Sequence, residues 1–175
     1  MSMQLVISAL GADRPGIVDA LSNKVYQHQL NIEDSRMTVL GGEFAIVLLT
    51  SGSENNIKDF ITQKPQLEKS LAMQLLMATT QTTDNSSPDT IPYQVEVSAL
   101  DHPGIVRNLA SFFSNRQINI VNLDTDKYAA PHTGTPMFAL HMTIGIPTDM
   151  AITRLRDEFT EFCDQLNLDA ELKSL

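Results

Sequence analysis

The residues with the clearest chemical potential stand at a turn that the chain writes twice. Asp13-Arg14-Pro15-Gly16-Ile17-Val18 returns 88 residues later as Asp101-His102-Pro103-Gly104-Ile105-Val106. Each copy follows an apolar run ending Ser-Ala-Leu (Ser8 to Leu10, Ser98 to Leu100), and Asn31-Ile32 returns at the same 88-residue spacing as Asn119-Ile120. Proline suits the first turn of a helix, where its missing N–H is not needed. The amides of Gly16, Ile17 and Val18 would then lie at a helix start without intrahelical acceptors, at the positive end of the helix dipole. Glycine lets a ligand approach the backbone closely. Such a place receives anions, a carboxylate among them, and Gly104, Ile105 and Val106 repeat it. The plainer reading is that Asp13 or Arg14 caps the helix while Pro-Gly turns the chain. Duplication copies structural turns as readily as binding sites, so both readings stand on sequence alone.

Asn31 and Asn119 each offer a donor and an acceptor, which suits the amine or carboxylate of a small amphoteric ligand. They can equally close the preceding loop through their own side-chain bonds. Arg14 and His102 hold equivalent positions and could face an anion, and their difference implies two sites that are not identical. The histidines are too scattered for metal ligation, and no His/Cys/Asp cluster has zinc spacing. A Gly-x-Ser-x-Gly elbow and a Gly-x-x-x-x-Gly-Lys phosphate loop are both missing from the sequence. Asp124 and Asp126, two apart on a strand, face one side, and a solvated surface explains them. The single cysteine, Cys163, lies beside an apolar helical stripe and reads as a small core residue. No catalytic residue, metal or cofactor is expected.

The elements around these residues follow one plan in each half. Met3 to Leu10 reads as a strand, a helix from Pro15 carries Ile17, Val18, Leu21 and Val25, and Ile32 to Leu40 reads as a second strand. Gly41-Gly42 signals a hairpin into Glu43 to Thr50, both of whose faces are apolar. Helices should cover one face, leaving the other for a partner sheet or strand edge. Ser51-Gly52-Ser53 should break the run. A helix with Ile57, Phe60 and Ile61 should stop or kink at Pro65, and Ala72 to Thr79 should close the unit. Residues 81–90 read as a linker between a first domain, 1–80, and a second, 91–175. The second copy runs through strands at 91–100, 118–125, 135–146 and 168–175, with helices from Pro103 and along Ile152, Leu155, Phe159, Phe162 and Leu166. Phe138 and Leu140 take the places of Phe44 and Ile46. Six extra residues therefore fall within 127–136, where a longer loop could cover a site, contact a partner or be a neutral insertion.

At 175 residues, with 42% hydrophobic content, the chain fits two small globular units. No apolar run approaches the ~20 residues needed to cross a bilayer. The N-terminus carries no basic segment ahead of its apolar strand, so no signal peptide and a cytoplasmic location are expected. Net charge is −9. Residues 1–83 hold six basic and eight acidic side chains, and residues 84–175 hold six and thirteen. Neither half has the basic surplus that phosphate contacts need, which disfavours direct nucleic-acid binding.

The β-α-β-β-α-β order, the Asp-x-Pro-Gly-Ile turn and the Asn-Ile opening of the second strand together resemble the ACT domain, a regulatory module that binds amino acids. Two such units spanning nearly the whole chain, with no enzyme or DNA-binding part attached, resemble the glycine cleavage system transcriptional repressor family. The resemblance implies an α+β fold of two ferredoxin-like βαββαβ domains in tandem, with antiparallel sheets and helices on one face. It implies effector sites where one domain's helix start meets the other domain. Carried over by position, Asp13, Gly16, Ile17 and Asn31 would bind ligand in one, and Asp101, Gly104, Ile105 and Asn119 in the other. The implied partners are a free amino acid, glycine in this family, and a DNA-binding transcriptional activator contacted by the repressor. A homodimer is a further assembly that the sequence permits. Control of a metabolic enzyme by a stand-alone regulatory module, an acylphosphatase-like activity, RNA binding on the open sheet and a purely structural role are the alternatives. The acylphosphatase reading needs an arginine in a glycine-rich phosphate cradle, whereas Leu10-Gly11-Ala12-Asp13 places a carboxylate where the anion would sit, and the RNA reading lacks aromatic, basic strands.

Overall fold

The computed structural model describes residues 2–80 and 90–175, which form two compact units, one on either side of residues 81–89. The linker expected at 81–90 therefore lies outside the described residues, except for Thr90. The first unit runs β1 (Ser2–Ala12), α1 (Ile17–Gln27), β2 (Asn31–Leu40), β3 (Glu43–Ser53), α2 (Glu54–Thr62), α3 (Lys64–Leu71) and β4 (Gln74–Thr80). The second runs β5 (Thr90–Leu100), α4 (Ile105–Ser114), β6 (Asn119–Ala129), β7 (Pro136–Pro147), α5 (Ile152–Gln165) and β8 (Asp169–Ser174). Each unit is a four-stranded sheet, in the orders β2-β3-β1-β4 and β6-β7-β5-β8, with every pairing antiparallel. This is the tandem ferredoxin-like architecture expected from the sequence.

Strict alternation explains the layering. Leu5, Ile7 and Ala9 of β1 and Phe44, Ile46 and Leu48 of β3 are buried together with Ile17, Leu21 and Val25 of α1. Their strand neighbours turn to the other face, since successive side chains in a strand point to opposite sides. Ile57 and Phe60 of α2 and Leu67 and Leu71 of α3 complete that core. Val95 and Val97, Leu140, Met142 and Ile144, Leu109 and Phe113, and Leu155 and Phe159 build the equivalent core of the second unit. Phe138 pairs with Ala99 as Phe44 pairs with Gly11. Even an irregularity is duplicated: the ladder slips between Ile32 and Asp34, and again between Ile120 and Asn122.

Several local readings change. The Ser-Ala-Leu triplets are not equivalent positions. Asp13 donates its N–H to the Gly42 carbonyl and Asp101 to the Pro136 carbonyl, both at 3.0 Å. Leu100 directly precedes that anchor, whereas Gly11 and Ala12 still separate Leu10 from it. Ser51-Gly52-Ser53 does not break the run, because all three continue pairing with β1, opposite Gln4, Met3 and Ser2. Ala72 ends α3 in a left-handed conformation (φ 53°) rather than opening a strand. Pro15 and Pro103 precede their helices by two residues instead of lying within the first turn. The β6–β7 connection holds its six extra residues at 130–135, closed by Ala130 and Thr135 (N···O 2.9 Å), where β2 and β3 are joined by Gly41-Gly42 alone.

Cys163 is 2% exposed, and burial pushes its thiol up to about 12. The native state keeps that proton above pH 9 while the unfolded chain releases it, so this group's contribution to stability declines as pH rises from about 9 toward about 12. Cys163 should resist a disulfide reagent at pH 8 in the native protein and react fully in denaturant; fast native labelling would contradict the packing. Phe113→Ala, which empties a fully buried site, should cost ~3–5 kcal/mol in urea denaturation of the second unit.

Candidate functional site

Both repeated turns are built by proline and glycine acting together. A type II turn takes Pro at its second position and needs positive φ at its third. Gly16 (φ 83°, ψ 2°) and Gly104 (φ 97°, ψ −3°) supply that conformation. In the first unit the Ile17 N–H closes the turn on the Arg14 carbonyl at 3.3 Å, so this amide is not open to a ligand. The first intrahelical bonds run from Ala20 to the Gly16 carbonyl and from Asn108 to the Gly104 carbonyl, both 2.9 Å. The amides of Val18 and Asp19, and of Val106 and Arg107, precede those bonds at the positive helix end. Neither helix start has a side-chain cap. A Cβ at Gly16 would meet nothing within 4 Å, and at Gly104 only the Asn108 amide nitrogen at 3.9 Å. The Ile17 and Ile105 side chains are core residues, 3% and 2% exposed, so only their backbone could touch a ligand.

The charged residues divide the two turns. Arg14 is committed within its unit: its Nη2 donates to the Leu71 carbonyl at 2.7 Å, satisfying an orphan acceptor at the end of α3. The exposed Asp13 carboxylate makes no ion pair with another described residue. Asp101, its equivalent, is held by Lys127 Nζ at 2.5 Å. Val39 occupies the position of Lys127 in the first unit, which explains the difference. Asp19 in the first turn of α1 is matched by Arg107 in α4, a reversal of charge beside the free amides. His102 is exposed, with its Nδ1 3.1 Å from the Pro103 carbonyl. Sequence reasoning singled out neither Lys127 nor Arg107; the 88-residue register, applied to every charged position, would have found both.

The asparagines lie elsewhere. An 11-residue helix, ~16 Å long at 1.5 Å per residue, separates Gly16 from the start of β2. Asp13 follows the end of β1 that pairs with Glu43, whereas Asn31 pairs with Ser51 at the other end of the sheet. Within one unit, then, Asp13, Gly16 and Ile17 come together and Asn31 does not join them. The same holds for Asp101, Gly104, Ile105 and Asn119. Asn31 donates to Glu33 Oε1 at 2.9 Å, and the Ser51 hydroxyl donates to the same oxygen. These bonds, Ser51's first, hold the Glu33 carboxyl below its usual range. Val121 replaces Glu33 in the second unit, so Asn119 lacks that partner. Among the described residues no group of three or more His, Cys, Asp and Glu could hold a metal, and no helix is long and apolar enough to cross a membrane.

Comparison with known proteins joins this geometry to a family. Residues 3–78 match the model of the ACT domain. The glycine cleavage system transcriptional repressor of Escherichia coli (strain K12) is 31% identical over 170 residues, 96% of this chain and 88% of that one. Two solved structures align over the whole chain. One, a protein of unknown function from Galdieria sulphuraria, has TM-score 0.82, 27% identity and 99% of its length covered. The other, described as a candidate glycine cleavage system transcriptional repressor, has TM-score 0.75, 28% identity and 98% covered.

Positive φ makes the glycines poor sites for bulky probes. Gly16→Val and Gly104→Val should each destabilise their unit by ~1–3 kcal/mol through backbone strain alone. Asn, which tolerates that conformation better, should cost less than ~1 kcal/mol. Urea denaturation of the four variants checks this, and equal effects of Val and Asn would contradict it.

Proposed function

Because the chain belongs to the glycine cleavage system transcriptional repressor family, we propose that it represses transcription in response to a free amino acid, glycine, bound at its Asp-x-Pro-Gly turns. The family and the ACT match make it a regulatory protein of the amino-acid-sensing kind. One observation carries the finer reading. Each turn combines helix-start amides that no side chain caps with an acidic residue three positions before the glycine, Asp13 or Asp101, and an added Cβ at either glycine would meet no atom closer than 3.9 Å, which supports a ligand approaching the backbone there.

A zwitterion matches that arrangement. Its carboxylate would accept from the Val18 and Asp19 amides, or from Val106 and Arg107, aided by the helix dipole. Its ammonium would donate to Asp13 or Asp101, a charge-assisted contact that an uncharged ligand cannot make. A ligand with no side chain also fits close to the backbone at Gly16 and Gly104. The two turns would answer differently. Asp13 is available at once, whereas Asp101 must share its charge with Lys127. Arg107 in turn adds a cation for the ligand carboxylate where α1 has Asp19.

Transcription would be reached through protein contact, with a DNA-binding activator as the partner. The net charge of −9 supports this indirect route, since an acidic chain gains no counterion-release affinity for DNA. Ligand alters that contact only if it binds one conformational state better than another. Cytoplasmic residence is part of the same proposal.

Isothermal titration with glycine tests the site. Asp13→Asn should weaken binding at the first turn ~10-fold or more, the loss of one charge-assisted hydrogen bond. Asp101→Asn should do less, because Lys127 already shares that carboxylate. Arg107→Asp should weaken the second site alone. Undiminished affinity in all three variants would remove the turns from the mechanism.

A further inference from the structure

The two units present opposite chemistries on the sheet face that no helix of their own covers. In the first unit, the cross-strand rows on that face are Arg36–Val47–Ser8–Leu76, Thr38–Ala45–Leu10–Gln74 and Asp34–Leu49–Val6–Ala78. Leu10, Val47 and Leu76 are 46%, 47% and 71% exposed. The charged groups in these rows, Arg36 and Asp34, bond to each other, so the rows are neutral. The matching rows of the second unit contain Asp124, Glu96, Glu171, Asp126 and Asp169, against Lys173 alone as a fixed cation. Lys173 is itself bound to Glu96 and Glu171.

We propose that the open sheet face of the first unit is a homodimer interface, packed against the same face of a second copy of this chain. Charge selects the occupant. Two copies of a neutral aliphatic face can meet without bringing like charges together, and a two-fold axis makes each the complement of the other. The corresponding face of the second unit would set a net negative patch against its own image, which opposes self-association there. A basic or acidic partner would find no charge to pair with on the first face beyond the closed Arg36–Asp34 pair.

Area is sufficient. Four strands ~4.8 Å apart and three rows spaced two residues apart give a footprint of ~400 Å². Seven of the twelve positions in that footprint are apolar (Val6, Leu10, Ala45, Val47, Leu49, Leu76 and Ala78), and they form its continuous middle, with the polar residues mostly on the outer strands. Two such footprints come to ~800 Å², and pleating raises the accessible area above that, which is the range of weak, concentration-dependent interfaces. Sheets packed this way lie ~10 Å apart with side chains interleaved. Val47, Leu76, Leu10 and Leu49 are the anchors, and Ser8 lies in the row that holds Val47 and Leu76.

Light scattering coupled to size exclusion on the full chain, over a concentration series to ~200 µM, reads the result directly. The wild-type chain should move from monomer to dimer within the micromolar range. Val47→Glu and Leu76→Glu should each remain monomeric at every concentration with an unchanged far-ultraviolet circular dichroism spectrum. Leu76→Ser should weaken the dimer at least several-fold with less risk to the fold. Glu96→Gln, on the other unit's face, should leave it unchanged. A wild-type chain that stays monomeric throughout, or a dimer that survives both glutamate variants, would overturn the proposal. Glycine titration is a separate readout, so failure of the dimer and failure of the ligand site can be told apart.

Discussion

Each first helix begins where it does because a glycine, placed directly after proline, adopts a backbone conformation that other residues resist. Positive φ at Gly16 and Gly104 completes a type II turn, directs the chain off the end of its central strand and leaves the first helical amides uncapped by any side chain. The strand end is fixed at the same place by the Asp13 and Asp101 amides, which pair with the neighbouring hairpin. Core packing then follows, since the turn sets which residues of α1 and α4 face the sheet. A substitution that removed the positive φ would disturb the fold and the candidate site together.

Duplication preserved this constraint and let the surroundings diverge. The ladder slip in β2 returns in β6, and the helix-to-sheet cores match element for element. A helix-to-helix contact has changed chemistry in place: His28 lies 3.8 Å from Asp59 in the first unit, while Arg116 and Glu158 meet at 2.9 Å in the second. The turns have diverged similarly, with Arg14 spent on the end of α3 and Asp101 held by Lys127. The sheet faces complete the pattern, neutral and aliphatic in one unit, acidic in the other. Two units of one fold thus present different surface chemistries.

Much of this was readable from the residues. The short, unbroken apolar run from Phe44 to Leu49 and the 3-4-3-4 stripe of α5 are local signals, and both elements form where those signals place them. The Pro-Gly pair could have been read as a type II turn rather than a helix start, since the residue chemistry is that of the turn. Other features lacked a local signal. Gln29, Ala72, Gln117 and Asn167 end their helices in the left-handed conformation usually taken by glycine. The Arg14 bond to Leu71 spans 57 residues and depends on tertiary packing. The resemblance carries Asn31 over together with Gly16; within one unit, the helix between them sets Asn31 at the far end of the sheet. That separation follows from helix rise alone.

The central claim is that the amides after Gly16 and Gly104 receive an amino-acid carboxylate. A nitrogen-resolved amide spectrum of the full chain, titrated with glycine, observes those groups one by one. The account predicts saturable shifts concentrated at residues 16–19 and 104–107, with the strands and the other helices little changed. Saturable shifts confined to other residues, or none at millimolar glycine, would contradict it.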